Sequence, residues 1–204
     1  EALVQRLEQL SLIEDIGQKI SRSLDLDLII NNVLEAAMRS TQADLASIAL
    51  IKNDTTVIVK QQTLQGGDLI VETYETTIET GIMGQTMLTG LMRVIDDNSN
   101  VKNYVPPPGD NTYRSSLVVP LSKGDTAMGA LNMESMYPNF FTDEHAGFIK
   151  SLAGHAIISI DNANLLEQHQ TQIEVLSQLR ELALTASTTT STDSIVNTIV
   201  HTAT

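Results

Sequence analysis

The sequence predicts an α+β fold in which two helices precede an antiparallel sheet built from hairpins and one very long helix follows it. Three observations carry that prediction. Ser115 to Ser135 reads SSLVVPLSKGDTAMGALNMES: Leu117, Val119 and Leu121 alternate with smaller residues, Ser122-Lys123-Gly124-Asp125 supplies turn chemistry, and Met128 to Met133 resumes an apolar run, which together describe a β-hairpin. Upstream, Leu3, Leu7, Leu10, Ile13, Ile16 and Ile20 recur at helical steps. Downstream, an apolar stripe runs from Phe148 to Leu182 without proline. A hairpin is not stable alone and needs further strands and a helical layer over its apolar faces.

Composition narrows the function classes. At 204 residues, one core with long extensions is expected. Apolar residues at 42% suffice for that core, and aromatic residues at 3% leave its packing to aliphatic side chains. Twelve Lys and Arg against 25 Asp and Glu give a formal charge of −13, which repels phosphate backbones and anionic lipid, so neither nucleic acid nor a membrane surface is an expected partner of this segment. The chain has no cysteine, which removes disulfides, thiolate metal sites, thioether-linked chromophores and cysteine nucleophiles. No run of ~18 apolar residues occurs and the acidic, amphipathic start is no signal peptide. A cytoplasmic location is expected. Because the sequence begins and ends in mid-pattern, it is expected to be a piece of a longer protein, whose membrane attachment elsewhere stays open.

The elements follow in order. The first helix covers roughly the first 22 residues. Ser21 to Leu26 interrupts it, and Asp25 or Asp27 caps a second helix whose buried face is Leu28, Ile29, Val33, Leu34 and Ala37. Asp44 to Ile51 and Thr56 to Leu64, separated by Lys52-Asn53-Asp54, form a first hairpin that Gly66-Gly67 ends. Ile70 to Ile78 is Thr-rich and reads as a weak edge strand or a loop. Gly81-Ile82-Met83-Gly84 opens a short helix to about Thr89-Gly90, and Arg93-Val94-Ile95 makes a short strand. Asn98 to Tyr113 is a loop or broken helix stiffened by Pro106-Pro107-Pro108, and such connections in small domains are often functional. After the hairpin, Thr142 caps the long helix with Asp143 and Glu144 in its first turn.

That helix keeps its stripe to about Ser187, on the order of 60 Å at ~1.5 Å per residue, so its far half needs a partner outside the domain. The tail also repeats the head. A shift of 166 positions pairs Leu7, Leu10, Ile13 and Ile16 with Ile173, Leu176, Leu179 and Leu182, and in the same register Ser21 with Ser187, Asp27 with Asp193 and Asn31 with Asn197. Two unrelated amphipathic helices share periodicity but seldom also the cap, the Asn and the spacing. The expected organisation is one domain over 1–168, a linker helix over 169–187 and the truncated start of a second similar domain over 188–204.

In this order the words Gly81-Ile82-Met83-Gly84, Thr89-Gly90, Val94-Ile95-Asp96, Arg114-Ser115-Ser116-Leu117-Val118-Val119-Pro120-Leu121, Gly129-Ala130-Leu131 with Ser135, and Phe141-Thr142 resemble the GAF domain, a sensory relative of the PAS fold. The resemblance covers roughly Leu10 to Leu166. It implies terminal helices on one face of the sheet and a small-molecule pocket on the other, roofed by Gly81 to Asp97 and Asn98 to Tyr113.

The resemblance also restricts the ligand. The Asn-Lys-Phe-Asp-Glu signature of cyclic-nucleotide GAF domains would fall on Ser135, Met136, Phe141, His145 and Ala146, and only Phe141 agrees. Bilin attachment and free methionine sulfoxide reduction in the family both use cysteine. A haem site needs a histidine in the pocket, whereas His145, His155, His169 and His201 all fall outside its roof. No cofactor can be named. Tyr104, Tyr113 and Arg114 bracket the stiff loop and are candidates for the pocket mouth, where Arg114 either grips an anionic ligand or pins the loop. Ser116, Asp96 and Met83 complete the candidate ligand-binding set. The group Met83, Met87, Met92, Met128 and Met133 reads more readily as adaptable core than as a tuned ligand surface. Asp143-Glu144 and Asp96-Asp97 are explained by helix capping and a strand end, and no nucleophile and base share a recognisable spacing.

The expected function is therefore a non-catalytic sensory and relay module of a larger signalling protein. It would bind a small molecule and pass its state through dimeric helices to a downstream output domain. The alternative is a structural dimerisation unit with no ligand. A parallel homodimer is expected through Leu3, Leu7 and Leu10 of the first helix and Ile173, Leu176 and Leu179 of the last.

Overall fold

The computed structural model describes residues 25–65, 68–79, 81–109 and 112–202. The expected first helix, with the interface candidates Leu3, Leu7 and Leu10, and the Gly66-Gly67 turn lie outside the described residues. Helix α1 (Leu26–Thr41) is capped by Asp25, whose carboxylate accepts from Leu28 N at 3.1 Å, and it ends at Gln42 in the left-handed region, φ 57°. Strands β1 (Leu45–Ile51), β2 (Thr56–Gln65) and β3 (Asp68–Thr77) follow as a meander. Then come helix α2 (Gly81–Thr89), strand β4 (Arg93–Ile95), a 3-10 turn at Asn98–Asn100, the hairpin β5 (Ser115–Lys123) and β6 (Thr126–Ser135), and helix α3 (Asp143–Thr202).

The six strands make one antiparallel sheet in the order β3-β2-β1-β6-β5-β4. The pairing of β1 with β6, Ile48 opposite Leu131, joins the two hairpins, so the sheet closes only when distant parts of the sequence meet. The expected Ile70 to Ile78 segment is resolved by this register: β3, Asp68–Thr77, is a ten-residue edge strand rather than a loop. All ten of its residues pair with β2, and its other edge is open, which its Thr and Glu tolerate.

Strand alternation gives each face its own core. On one face Ile48, Leu117, Val119, Leu121, Leu131 and Met133 pack against Ile29, Val33 and Leu34 of α1 and Ile149, Leu152, Ala156 and Ile160 of α3. On the other, Ala49, Val57, Val59, Val118 and Ala130 meet Ile82 and Met87 of α2. As composition predicts, the large fully buried side chains are almost all aliphatic. Met92 departs from its expected core role and lies exposed, because it falls in the irregular link between α2 and β4.

The described residues divide into two units between Ala163 and Asn164. In the second unit Leu165, Ile173, Val175, Leu176, Leu179, Leu182 and Leu184 are all exposed. The helix also outruns its expected end near Ser187 and continues to Thr202. From His155 onward the sequence has neither glycine nor proline, so nothing in the backbone chemistry forces a stop at the Ser/Thr run. Among the described residues, no helix is long and apolar enough to cross a membrane.

Candidate functional site

On the sheet face opposite α1 and α3, strands β1, β2, β3 and β6, helix α2 and the Tyr104–Pro108 segment enclose a cavity of about 260 Å³. That is just under the ~300–1,000 Å³ usual for small-molecule sites. Two features hold the roof close. A Cβ at Gly84 would collide with the Ile78 carbonyl oxygen, so glycine lets α2 lie on the end of the preceding strand. Gln61, fully buried, donates from Nε2 to Glu72 Oε2 at 2.7 Å and reaches Pro108 O at 3.5 Å, tying the proline segment to β2 and β3.

Most of the wall is apolar: Ala49, Val57, Val59, Ile82, Met83, Met87, Val105 and the three prolines. At one end Ser47, Asn132 and Glu134 make a polar floor. Glu134 is 3% exposed. Its Oε2 accepts from Asn98 Nδ2 at 3.0 Å and Tyr104 OH at 3.2 Å, and its Oε1 accepts from Asn132 Nδ2 at 3.2 Å. Ser116 Oγ lies 2.7 Å from both Glu134 Oε2 and Asn98 Oδ1. A hydroxyl has one proton, so it can serve only one of these two acceptors. If Glu134 carries a proton on Oε2 it donates to Ser116, which donates to Asn98, and no contact is left as a pair of opposed lone pairs. Burial pushes the Glu134 carboxyl up in the same direction, against the opposing pull of its donors.

The surrounding phenols respond to that buried group. Burial first, then Glu134 and Glu72, push Tyr74 up to about 12, and burial and Glu134 raise Tyr104 as well. Both stay neutral donors at any physiological pH. Asn132, 3% exposed, has an Oδ1 with no hydrogen-bond partner although it lies in the cavity wall.

Of the six candidate ligand-binding residues, Met83 and Tyr104 line the cavity. Ser116 sits behind the wall, beneath Glu134. Tyr113 is buried and its carbonyl accepts from Asn98 Nδ2 at 3.3 Å. Asp96 is exposed, with its carbonyl accepting from Asn139 N at 2.7 Å. Arg114 does not line the cavity: it directly precedes β5, and its N–H donates to Ser135 O at 2.7 Å. Its guanidinium instead grips Asp97 through Nε at 3.2 Å and Nη2 at 2.6 Å. That fork, with Ser99, holds the Asp97 carboxyl far below the usual carboxylate range. Of its two alternatives, the contact with Asp97 is the one that pinning the loop calls for.

The residues that sequence reasoning missed are Ser47, Tyr74, Asn132 and Glu134. A signal existed for three of them. Ser47 on β1 and Asn132 and Glu134 on β6 are polar residues at period two within otherwise apolar central strands, where a simple core would place aliphatics. Among the described residues no cluster of three or more His, Asp or Glu is placed to hold a metal ion.

The GAF domain family profile matches residues 23–161. No curated protein matches the chain. Among solved structures, the GAF domain of a phosphoenolpyruvate-protein phosphotransferase from Coxiella burnetii is similar at TM-score 0.69 and 18% identity, covering 79% of this chain and 98% of that one. Free methionine-R-sulfoxide reductase from Neisseria meningitidis, solved with its substrate, is similar at TM-score 0.64 and 14% identity, over 78% of this chain and 91% of that one. The GAF-B domain of DevS from Mycobacterium smegmatis follows at TM-score 0.56 and 19% identity, over 71% and 99%. At such identities the likeness is one of fold.

Proposed function

Because the chain belongs to the GAF domain family, we propose that it is a non-catalytic sensory and relay module that binds a small molecule in the cavity over β6 and passes its state through the helices of a parallel homodimer. The observation that carries this reading is the two-faced strand β6. Ala130, Asn132 and Glu134 face the cavity side, whereas Leu131 and Met133 pack among α1 and α3. An occupant that shifts β6 must therefore disturb the packing around Ile149 and Ala156. A chain without cysteine has no thiol for sulfoxide chemistry, which favours sensing over catalysis in a fold that also serves a reductase.

The dimer is supported by the exposed Ile173, Leu176 and Leu179, which at 3.6 residues per turn fall within about a third of the helix circumference. In this reading 1–168 is the sensory domain, 169–187 the linker and 188–204 the start of a second module in the same helix, with an output domain downstream and the whole in the cytoplasm. Leu176→Asp with Leu179→Asp should convert a dimer to a monomer in sedimentation while the sheet stays folded. A parent chain that sediments as a monomer at tens of micromolar would refute the dimer.

The relay is tested by distance. With no native cysteine, Gln170→Cys gives one spin-label site per protomer. A ligand that works by biasing two arrangements of the dimer should change the label separation by about 1–2 Å, as helix shifts at interfaces do. An unchanged separation with the cavity demonstrably filled leaves only the ligand-free dimerisation role.

A further inference from the structure

The sensing proposal leaves the ligand's chemistry open, and the cavity narrows it. Among its lining residues there is no Lys, Arg or His, while Glu75 and Glu134 contribute carboxyls. Lys52 pairs with Glu75 at 2.6 Å, so that charge is answered at an exposed position. Glu134 has no cation beside it among the described residues. A phosphate or carboxylate ligand would enter this floor with nothing to neutralise it. The unmet needs are the opposite: Asn132 Oδ1 is a buried acceptor with no donor, and buried acceptors rarely stay unanswered. Glu134 Oε1 receives a single hydrogen bond and has a lone pair to spare.

We propose, resting on the sensing reading above, that the ligand is a small organic cation whose ammonium group sits against Asn132 Oδ1 and the Glu134 carboxyl, with its apolar body along Val57, Val59 and Met87. An ammonium group carries three donors and one charge, which matches one free acceptor and one buried carboxyl. The volume, about 260 Å³, equals some eight or nine waters at ~30 Å³ each, room for a short branched or single-ring body. The shared proton at Ser116 and Glu134 then acquires a role. An arriving cation makes the ionised carboxylate favourable, so binding expels that proton to solvent. The other titratable groups around Glu134 are Tyr74, Glu72 and Glu75 on β3, Tyr104 and Tyr113 on the loop, and the Asp97–Arg114 pair. Tyr74 and Tyr104 stay neutral, Glu75 is paired with Lys52, Glu72 accepts from Gln61 and the Asp97–Arg114 pair is self-neutralising, which leaves Glu134 as the group that exchanges charge.

The test is an NMR titration of the labelled 204-residue chain with 3-methylbutylammonium, and in parallel with 3-methylbutan-1-ol and 4-methylpentanoate as neutral and anionic molecules of similar shape. The amine is expected to shift the Asn132 side-chain amide and the β6 signals saturably, with affinity rising up to about tenfold per pH unit while Glu134 is still protonated. Glu134→Gln should abolish that pH dependence and weaken binding at least about tenfold, the loss of roughly one charged hydrogen bond. Asn132→Ala should weaken the amine independently, each variant's fold being read from its own amide spectrum. Tighter binding of the alcohol or the carboxylate in this cavity overturns the cation assignment and leaves the small-molecule sensor standing. Amine shifts confined to the acidic surface and unchanged in Glu134→Gln also overturn it. Failure of all three probes at tens of millimolar overturns both the cation and the sensor.

Discussion

Gly129→Val is expected to destabilise the sheet by about 3 kcal/mol or more, enough to leave a large fraction of a marginally stable domain unfolded. Gly129 lies on β6 opposite Leu50 of β1 and Leu121 of β5, so ladders hold it from both sides. A Cβ there would overlap the Ala49 carbonyl oxygen and come within 3.1 Å of Leu50 Cδ2 and 3.2 Å of Ala49 C. The first of these is backbone, in the middle of the pairing that joins the two hairpins, and cannot swing aside as a side chain would. The irregularity in the β5–β6 register begins at Leu121/Ser122, immediately beside this position, which leaves the outer part of the hairpin less able to absorb a shift. Gly147→Ala is the contrast: it stands in α3 with open space around it, and should raise stability by up to ~1 kcal/mol. Urea unfolding of the three proteins by circular dichroism checks both. A Gly129→Val midpoint within error of the parent would mean that β1 and β6 are not seated as closely as described.

The architecture was readable because its signals are local. Asp25 before an apolar period, Lys52-Asn53-Asp54 between β-branched runs, and Ser122-Lys123-Gly124-Asp125 each specify an end or a turn within a few residues. What escaped were consequences of which strands become neighbours. Asn132 and Glu134 look like polar interruptions in LNMES until β6 is placed centrally, with a cavity on their side and α3 on the other. Arg114 was drawn to the pocket by its place after a stiff loop, but its N–H is bonded to Ser135 O just before β5 and Asp97, 17 positions earlier, claims its charge. Met83 and Tyr104 were legible as wall residues because α2 and the proline segment are roof elements in any folding of this sequence pattern. The far end of α3 was misjudged for a different reason. Serine and threonine lower helix propensity without ending a helix, whereas glycine and proline end one, and neither occurs after Gly154.

Glu134→Gln and Glu134→Leu should separate what the buried carboxyl does as a hydrogen-bond hub from what it does as an acid. Leucine fills comparable space but accepts nothing. It would leave Tyr104 OH without its partner and Asn132 Nδ2 with only Ser47 Oγ at 3.5 Å, while Asn98 Nδ2 retains Tyr113 O and Ser116 retains Asn98 Oδ1. Two orphaned donors at ~1–3 kcal/mol each imply a loss of about 2–6 kcal/mol. Glutamine is neutral at every pH, as the protonated acid is, and its amide can donate toward Ser116, but a nitrogen at the Oε2 position cannot accept from Tyr104 OH or Asn98 Nδ2. The pH dependence then has a definite sign. Burial raises the folded carboxyl above its ordinary 4.5, so above that value the native state holds a proton that the unfolded chain has released. The stability this confers is complete below about pH 4.5 and declines as pH rises through the folded value. Glu134→Gln should lack that decline, so its stability relative to the parent should rise from mild acid to alkaline pH. Glu134→Leu should be weakest relative to the parent in acid and close part of the gap as pH rises. Urea midpoints for the three proteins from pH 5 to pH 9 decide the matter. A parent whose stability rises with pH while Glu134→Gln stays flat would mean that the donors around Glu134 outweigh its burial and hold it as a carboxylate.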